Sequence, residues 1–287
     1  MFNKRHIVRT IATTVSILAL SFTAACGSGQ STASNSTDSD DITQQTYKPG
    51  KLTIATGQPA YEPWVMNDKP ESGEGYEAAV AYAVADKLGF KKSDVVWTRT
   101  AFDTAIAPGA KDWDFNIQHF GITDERKMAV DFSSSYYNDS QSVVVKKDSK
   151  FANATKVSDL KDATVGVMVG TLAYDYAKAN IKDDIQTFND DAALAQALDA
   201  GQIDALVTST VECVYMVQSE QVKDAKVLGR LPDSEDKSGM GIVLPKDSKL
   251  TAAVTKAVDD LNADGTIKKL QDKWLAEYTT DLTELKK

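Results

Sequence analysis

Cysteine and histidine are nearly absent. The 287-residue chain has two of each. His6 lies in a stretch expected to be removed, so His119 is the one imidazole of the mature protein. That scarcity argues against a zinc centre and against a Ser-His-Asp machinery, both of which need imidazole. No grouping has metal-ligand spacing, so no metal is expected. Basic excess is also missing: 32 Lys+Arg stand against 41 Asp+Glu. A phosphate backbone requires a basic face, so nucleic acid is not expected as a partner. Long apolar runs are scarce as well. The one clear run, Ile11–Phe22, is too short for a membrane span.

That run instead reads as a signal peptide over residues 1–25. Lys4, Arg5 and Arg9 precede it and the small residues "TAAC" follow. Cys26 at the junction has the pattern of a bacterial lipoprotein signal, with Thr23 where Leu is usual. Lipidation of Cys26 is expected, and the alternative is a plain secretory signal with an incidental cysteine. Losing the three bases leaves 29 Lys+Arg against the 41 acids, a balance suited to a soluble extracytoplasmic protein. Cys213 would then have no partner for an internal disulfide. Its apolar setting, "STVECVYMV", suits a buried thiol.

Residues 26–46 are rich in Ser, Thr, Asn and Asp and bury little, so they read as a disordered tether. From Tyr47 onward, strand-like and helical runs alternate. "KLTIAT" reads as a strand, "GYEAAVAYAVADKLG" as a helix and "DVVWTRT" as a strand. "VGVMVGTLAYDYAKAN" reads as strand, loop and helix. This alternation predicts an α/β fold with largely parallel sheets. Roughly 240 residues suit two lobes. The apolar runs 142–148 and 241–247 are candidate crossings between them. Lobe 1 is then 47–141 with 240–287. Lobe 2 is 142–239, including the crossings. A cleft between lobes is a common ligand site.

Three groups of residues carry candidate chemistry. Arg126 lies one turn into "ITDERKMAV", where acids rather than cations are favoured. Its planar fork fits a carboxylate; alternatively it is a surface ion pair. Gly170 and Thr171 separate a strand from a helix whose first N–H groups form an anion site; alternatively they are an ordinary turn. Tyr61, Trp64 and Phe102 follow strand ends, as stacking rings at a cleft mouth or as core aromatics.

The chain resembles the extracellular solute-binding proteins of polar amino-acid ABC importers (family 3), which have the type 2 periplasmic-binding-protein fold. The segments that carry the likeness come in family order: "IATGQPAYEPW", "GYEAAVAYAVADKLG", "FDTAIAPG", "ITDERKMAVDFSSSYY", "VGVMVGTLAYDYAKAN", "GQIDALVTST", "GIVLPKDS" and "LNADGTIKKLQDKWL". They span nearly all of residues 48–280. The resemblance implies a two-lobed Venus flytrap with its ligand cleft between the lobes. It implies that Arg126 binds the ligand carboxylate, helped by His119 and Gly121. Gly170, Thr171 and Leu172 would donate N–H groups to the same carboxylate. Tyr61, Phe102 and Trp64 would enclose the side chain. The family pattern is broken at Ala79, where a second helix acid is usual, and at His119 and Gly121. It is broken again at Ser209, where an aspartate for the ligand ammonium is expected. Glu212 is the nearby substitute.

The expected function is that of a lipid-anchored, monomeric binding subunit without cofactor or catalytic residues. It would pass a polar amino acid or related small carboxylate to a membrane permease. Two alternatives are a cyclohexadienyl-dehydratase-like enzyme on the same fold and a solute-sensing receptor. His119, beside the carboxylate pocket, is expected to be drawn toward its charged form by a bound anion; alternatively it packs neutral behind the loop.

Overall fold

The computed structural model describes residues 41–279 and 282–287. The signal peptide, Cys26 and residues 26–40 of the expected tether lie outside the described residues. The strand-like runs form two five-stranded sheets. β1 (Leu52–Thr56), β2 (Val95–Arg99), β3 (Phe115–Asn116), β4 (Val130–Tyr137) and β10 (Met240–Pro245) form the first, in the order β2-β1-β3-β10-β4. β5 (Gln141–Lys146), β6 (Val165–Met168), β7 (Gln186–Phe188), β8 (Ala205–Ser209) and β9 (Ala225–Arg230) form the second, ordered β7-β6-β8-β5-β9. β1 runs parallel to β2 and β3, and β6 runs parallel to β7 and β8. β10 and β5 run antiparallel to their neighbours. Each lobe thus has a parallel portion whose strands end on a common edge.

Helices cover the sheets because the strands are apolar on both faces. Every residue of β1 is buried. α1 (Tyr76–Lys87) packs Val80, Ala81 and Val84 into the first core, together with α7 (Thr251–Ala263) and α8 (Thr266–Trp274). α1 begins at Gly75, with φ 100°. A Cβ there would lie 2.4 Å from the Trp64 carbonyl oxygen, so only glycine fits. In the second sheet, Val143 and Val145 face one core and Val144 faces the other, the two-residue alternation of a strand. α4 (Leu172–Asn180) lies on the first of these faces. α5 (Asp191–Asp199) and α6 (Thr210–Gln218) lie on the opposite one. Cys213 is a fully buried free thiol of α6.

Three sequence expectations are corrected. The tether stops short of residue 46. Asp41 caps a 3-10 turn over Ile42–Gln44, Ile42 packs on the first core, and Thr46 is buried. The Asp114 carboxylate also accepts from Tyr47 N at 2.6 Å, fastening this entry segment. The apolar runs at 142–148 and 241–247 are strands of one sheet each. The chain changes sheet in the polar segments before them, 138–140 and 231–239, joined where Asp236 N donates to the Asp139 carbonyl. Such segments tolerate bending better than ladder-bonded strands. Finally, the last residues return to the second sheet. Glu284 pairs with Arg230, Lys286 with Lys156, and Leu285 is buried in the second core. An apolar side chain at position 285 gains more there than in solvent. No helix among the described residues is long and apolar enough to cross a membrane.

Candidate functional site

The C-terminal ends of the parallel strands meet around a cavity of about 250 Å³. This is where open α/β sheets bind ligands. From the first lobe come the loop after β1, the start of α2 (Phe102–Ile106) and the segment after β3. From the second come the turns β6–α4, β7–α5 and β8–α6.

Arg126 lies in the single-turn helix α3 (Asp124–Lys127). Thr123 is its N-cap, and the Thr123 hydroxyl accepts from Arg126 N at 3.1 Å. The guanidinium turns back over the preceding loop. Nη1 donates to the Gly121 carbonyl at 2.6 Å, and Nη2 donates to the Gly170 carbonyl of the other lobe at 2.8 Å. The Phe102 ring lies 5.6 Å away beneath it and stacks on Phe120 at 4.5 Å. Burial lowers the Arg126 pKa, while Asp175, Asp236 and Glu125 oppose that shift. No carboxylate of the described residues forms an ion pair with this group. The surface ion-pair alternative is therefore not what the structure contains.

Gly121 sits in a confined spot. A Cβ there would lie 2.5 Å from Leu172 Cδ1 and 2.9 Å from Asp236 Oδ2. Thr171 caps α4, its hydroxyl accepting from Tyr174 N at 3.2 Å. The first N–H groups of α4 therefore open onto the cavity wall formed by Thr171, Leu172 and Ala173. Gly170 is the exception among the expected residues. It is exposed, has φ 73° and is not part of the cavity wall. Its carbonyl, rather than its N–H, makes the visible contact.

His119 is held between two carboxylates. Its Nε2 is 3.3 Å from Glu77 Oε2, and its Nδ1 is 3.2 Å from Glu212 Oε1 of the other lobe. Its backbone N–H donates to Glu77 Oε1 at 2.8 Å, with φ 52°. The ring lies 4.1 Å from that of Trp64. Burial works against the charge, but Glu77 and Glu212 outweigh it and raise the pKa to about 10. The imidazolium is therefore fixed by protein carboxylates. The expectation that a bound anion draws out its charge is corrected, and so is the picture of a neutral ring.

Glu77 also accepts from the Tyr136 hydroxyl. Glu212 accepts from Thr208 Oγ1 at 2.8 Å. Burial raises the Glu212 pKa, but His119 outweighs it and holds the carboxyl below its usual range. Ser209 stands at the expected acid position and serves as the N-cap of α6, accepting from Glu212 N at 3.3 Å.

The aromatic residues divide. Trp64 is fully buried, belongs to the first core and also lines the cavity. Tyr61 and Phe102 are half-buried on the wall. Burial, with Asp190 next, raises the Tyr61 hydroxyl pKa.

The structure thus brings together Arg126, His119, Gly121, Thr171, Leu172, Tyr61, Phe102, Trp64, Ser209 and Glu212 around one cavity. Sequence reasoning missed Glu77 and Asp191. Glu77 resembled an ordinary first-turn acid of α1. Asp191 was hidden in "NDD", where Asp190 supplies the helix cap.

Comparisons with known proteins bear on this geometry. The family model for bacterial extracellular solute-binding proteins, family 3, matches residues 52–277. The L-arginine-binding protein of Pseudomonas aeruginosa is 29% identical over 245 residues, covering 80% of this chain and 88% of its own. The L-cystine-binding protein TcyA of Bacillus subtilis is 28% identical, covering 92% and 94%. Among solved structures, an ancestral amino acid-binding protein, a precursor of cyclohexadienyl dehydratase, is 30% identical. It has a TM-score of 0.66 and covers 79% of this chain and 96% of that one.

Proposed function

Because the chain belongs to the bacterial extracellular solute-binding proteins of family 3, we propose that it captures a polar amino acid or related small carboxylate. It delivers that solute to the permease of an ABC importer. The observation that carries this reading is Arg126. Its guanidinium touches both lobes beside the start of α4 and forms no ion pair with a carboxylate of the described residues. A ligand carboxylate completes that arrangement, with the Arg fork and the helix N–H groups converging on it. Tyr61, Phe102 and Trp64 enclose the remainder. Lobe 1 comprises 47–141 with 240–279, and lobe 2 comprises 142–239 with the C-terminal residues. The protein acts as a monomer, held to the membrane by lipid on Cys26.

The relatives are binding proteins of amino acids with different side chains, so the common part of the ligand is its backbone. A thermal-shift screen of the free amino acids, with cystine included, tests the reading. A ligand at about 100 times its Kd stabilises the fold by about 2.7 kcal/mol. At least one amino acid is expected to raise the melting temperature by several degrees. A screen in which none does so contradicts the amino-acid reading.

A dehydratase on this fold is the second reading, favoured by His119 facing the cavity between two acids. Its pKa of about 10 argues the other way. An imidazolium with both nitrogens engaged has no free base to offer near neutral pH.

A further inference from the structure

We infer that Asp191, rather than Ser209 or Glu212, is the carboxylate that receives the ligand's α-ammonium. This rests on the proposal that the cavity binds an amino acid. The inference comes from how the acids of the cavity wall are already engaged. Glu77 is taken by His119 and the Tyr136 hydroxyl. Glu212 is ion-paired with His119 through Oε1, and its Oε2 accepts from Thr208. Asp190 caps α5 by accepting from Ala193 N at 2.8 Å. Ser209 caps α6 and carries no charge. Of these acids, Asp191 alone has neither an ion pair nor a short hydrogen bond. It is buried to 9% exposure, and its one hydrogen bond is a long contact from Thr208 Oγ1 at 3.5 Å. No Lys, Arg or His of the described residues pairs with it. An ionised carboxylate has about four acceptor positions, and burying one without a cation is costly.

The placement fits a zwitterion. α4 lies on one face of the second sheet, while α5 and α6 lie on the other. Their starts meet at the strand ends that line the cavity. Thr171 and Arg126 form the anion end at the start of α4. Asp191, at the start of α5 beside Thr208, forms the cation end on the far side of the sheet edge. Trp64 Nε1, Gln118 Oε1, the Tyr61 hydroxyl and Glu212 Oε1, all of wall residues, are buried without a protein hydrogen-bond partner. Such atoms are available to a polar ligand.

The electrostatics agree. Burial pushes the Asp191 carboxyl well above its usual range; Glu212 and Asp190 add to this and His119 opposes it. An ammonium placed against it supplies the missing positive charge.

The test uses calorimetry with the full mature chain and two probes. The first is the amino acid giving the largest thermal shift on the wild type, from a panel that includes L-arginine and L-cystine. The second is its des-amino carboxylate, with hydrogen in place of the α-ammonium. If no amino acid binds the wild type, the amino-acid reading fails, and this inference fails with it before any variant is made. Given binding, Asp191→Asn should weaken the amino acid roughly 30-fold or more, the usual scale for truncating a buried charge pair. It should change the des-amino probe by less than about threefold. Ser209→Asp in the Asp191→Asn background should recover at least about tenfold, because Asp also caps a helix. The inference is overturned, with the amino-acid site intact, by either of two results. One is an Asp191→Asn protein that binds the amino acid within about threefold of wild type. The other is a variant that loses both probes equally, which would give Asp191 a structural role at the start of α5.

Discussion

His119 of the first lobe and Glu212 of the second face each other across the cleft, with Nδ1 3.2 Å from Oε1. Glu77 holds the other ring nitrogen at 3.3 Å. The cleft therefore carries its own interlobe charge pair, apart from any ligand. Removing His119 leaves two buried carboxylates facing each other without a cation. Breaking such a buried pair typically costs about 3–5 kcal/mol, so His119→Gln should melt clearly below the wild type at neutral pH.

The pH dependence of that difference has a definite sign. The His119 pKa is raised from 6.5 to about 10 in the folded state. Its stabilising contribution is therefore full below about pH 6.5 and is lost as pH rises toward 10. The gap in melting temperature between wild type and His119→Gln should narrow over that range. Because the imidazole stays charged between about pH 5.5 and 8, His119 should add no slope to ligand affinity there. A gap that widens with pH would contradict the charged assignment.

Gly121 marks how closely the lobes approach. Its missing Cβ would meet Leu172 of the opposite lobe at 2.5 Å and Asp236 at 2.9 Å. Gly121→Ala is expected to weaken ligand binding at least tenfold by holding the lobes apart. Its cost to stability should be about 1 kcal/mol, because the open form accommodates the methyl group. Calorimetry beside a thermal melt separates the two effects.

Much of this was legible in the sequence, for identifiable reasons. The two-residue alternation and continuous apolar runs located strands such as β1 and β6, because burial on both faces requires them. Glycine bounded α1 at Gly75 and Gly89, both with positive φ. The Arg126 segment stood out because a guanidinium at a helix start is unusual. What was hidden depends on contacts between distant residues. Glu77 and Glu212 are 135 positions apart in the chain, and only the meeting of the lobes puts both on His119. Asp191 is one of many Asp residues at helix starts, and nothing in "FNDDAALAQ" distinguishes the cap from the acid left unpaired. The return of Leu285 to the second core likewise shows no local pattern.

Lipidation rests on residues 1–26 alone. Cys26→Ala is expected to move the protein from the membrane fraction to the medium. Detergent-phase partitioning checks it, and unchanged partitioning of the variant would contradict an anchor at Cys26.

The central claim is that Arg126 is poised for a ligand carboxylate, and its affinity effect is the most direct measurement. Calorimetry with the amino acid found in the thermal-shift screen compares wild type, Arg126→Ala and Arg126→Lys. A lost guanidinium–carboxylate contact costs about 2–5 kcal/mol, roughly 30-fold to several thousand-fold in affinity. Lysine should bind poorly too, since an ammonium cannot span the Gly121 and Gly170 carbonyls while presenting a fork to the ligand. The account predicts a loss of at least about 30-fold for Arg126→Ala. A variant that binds within about threefold of wild type would contradict it.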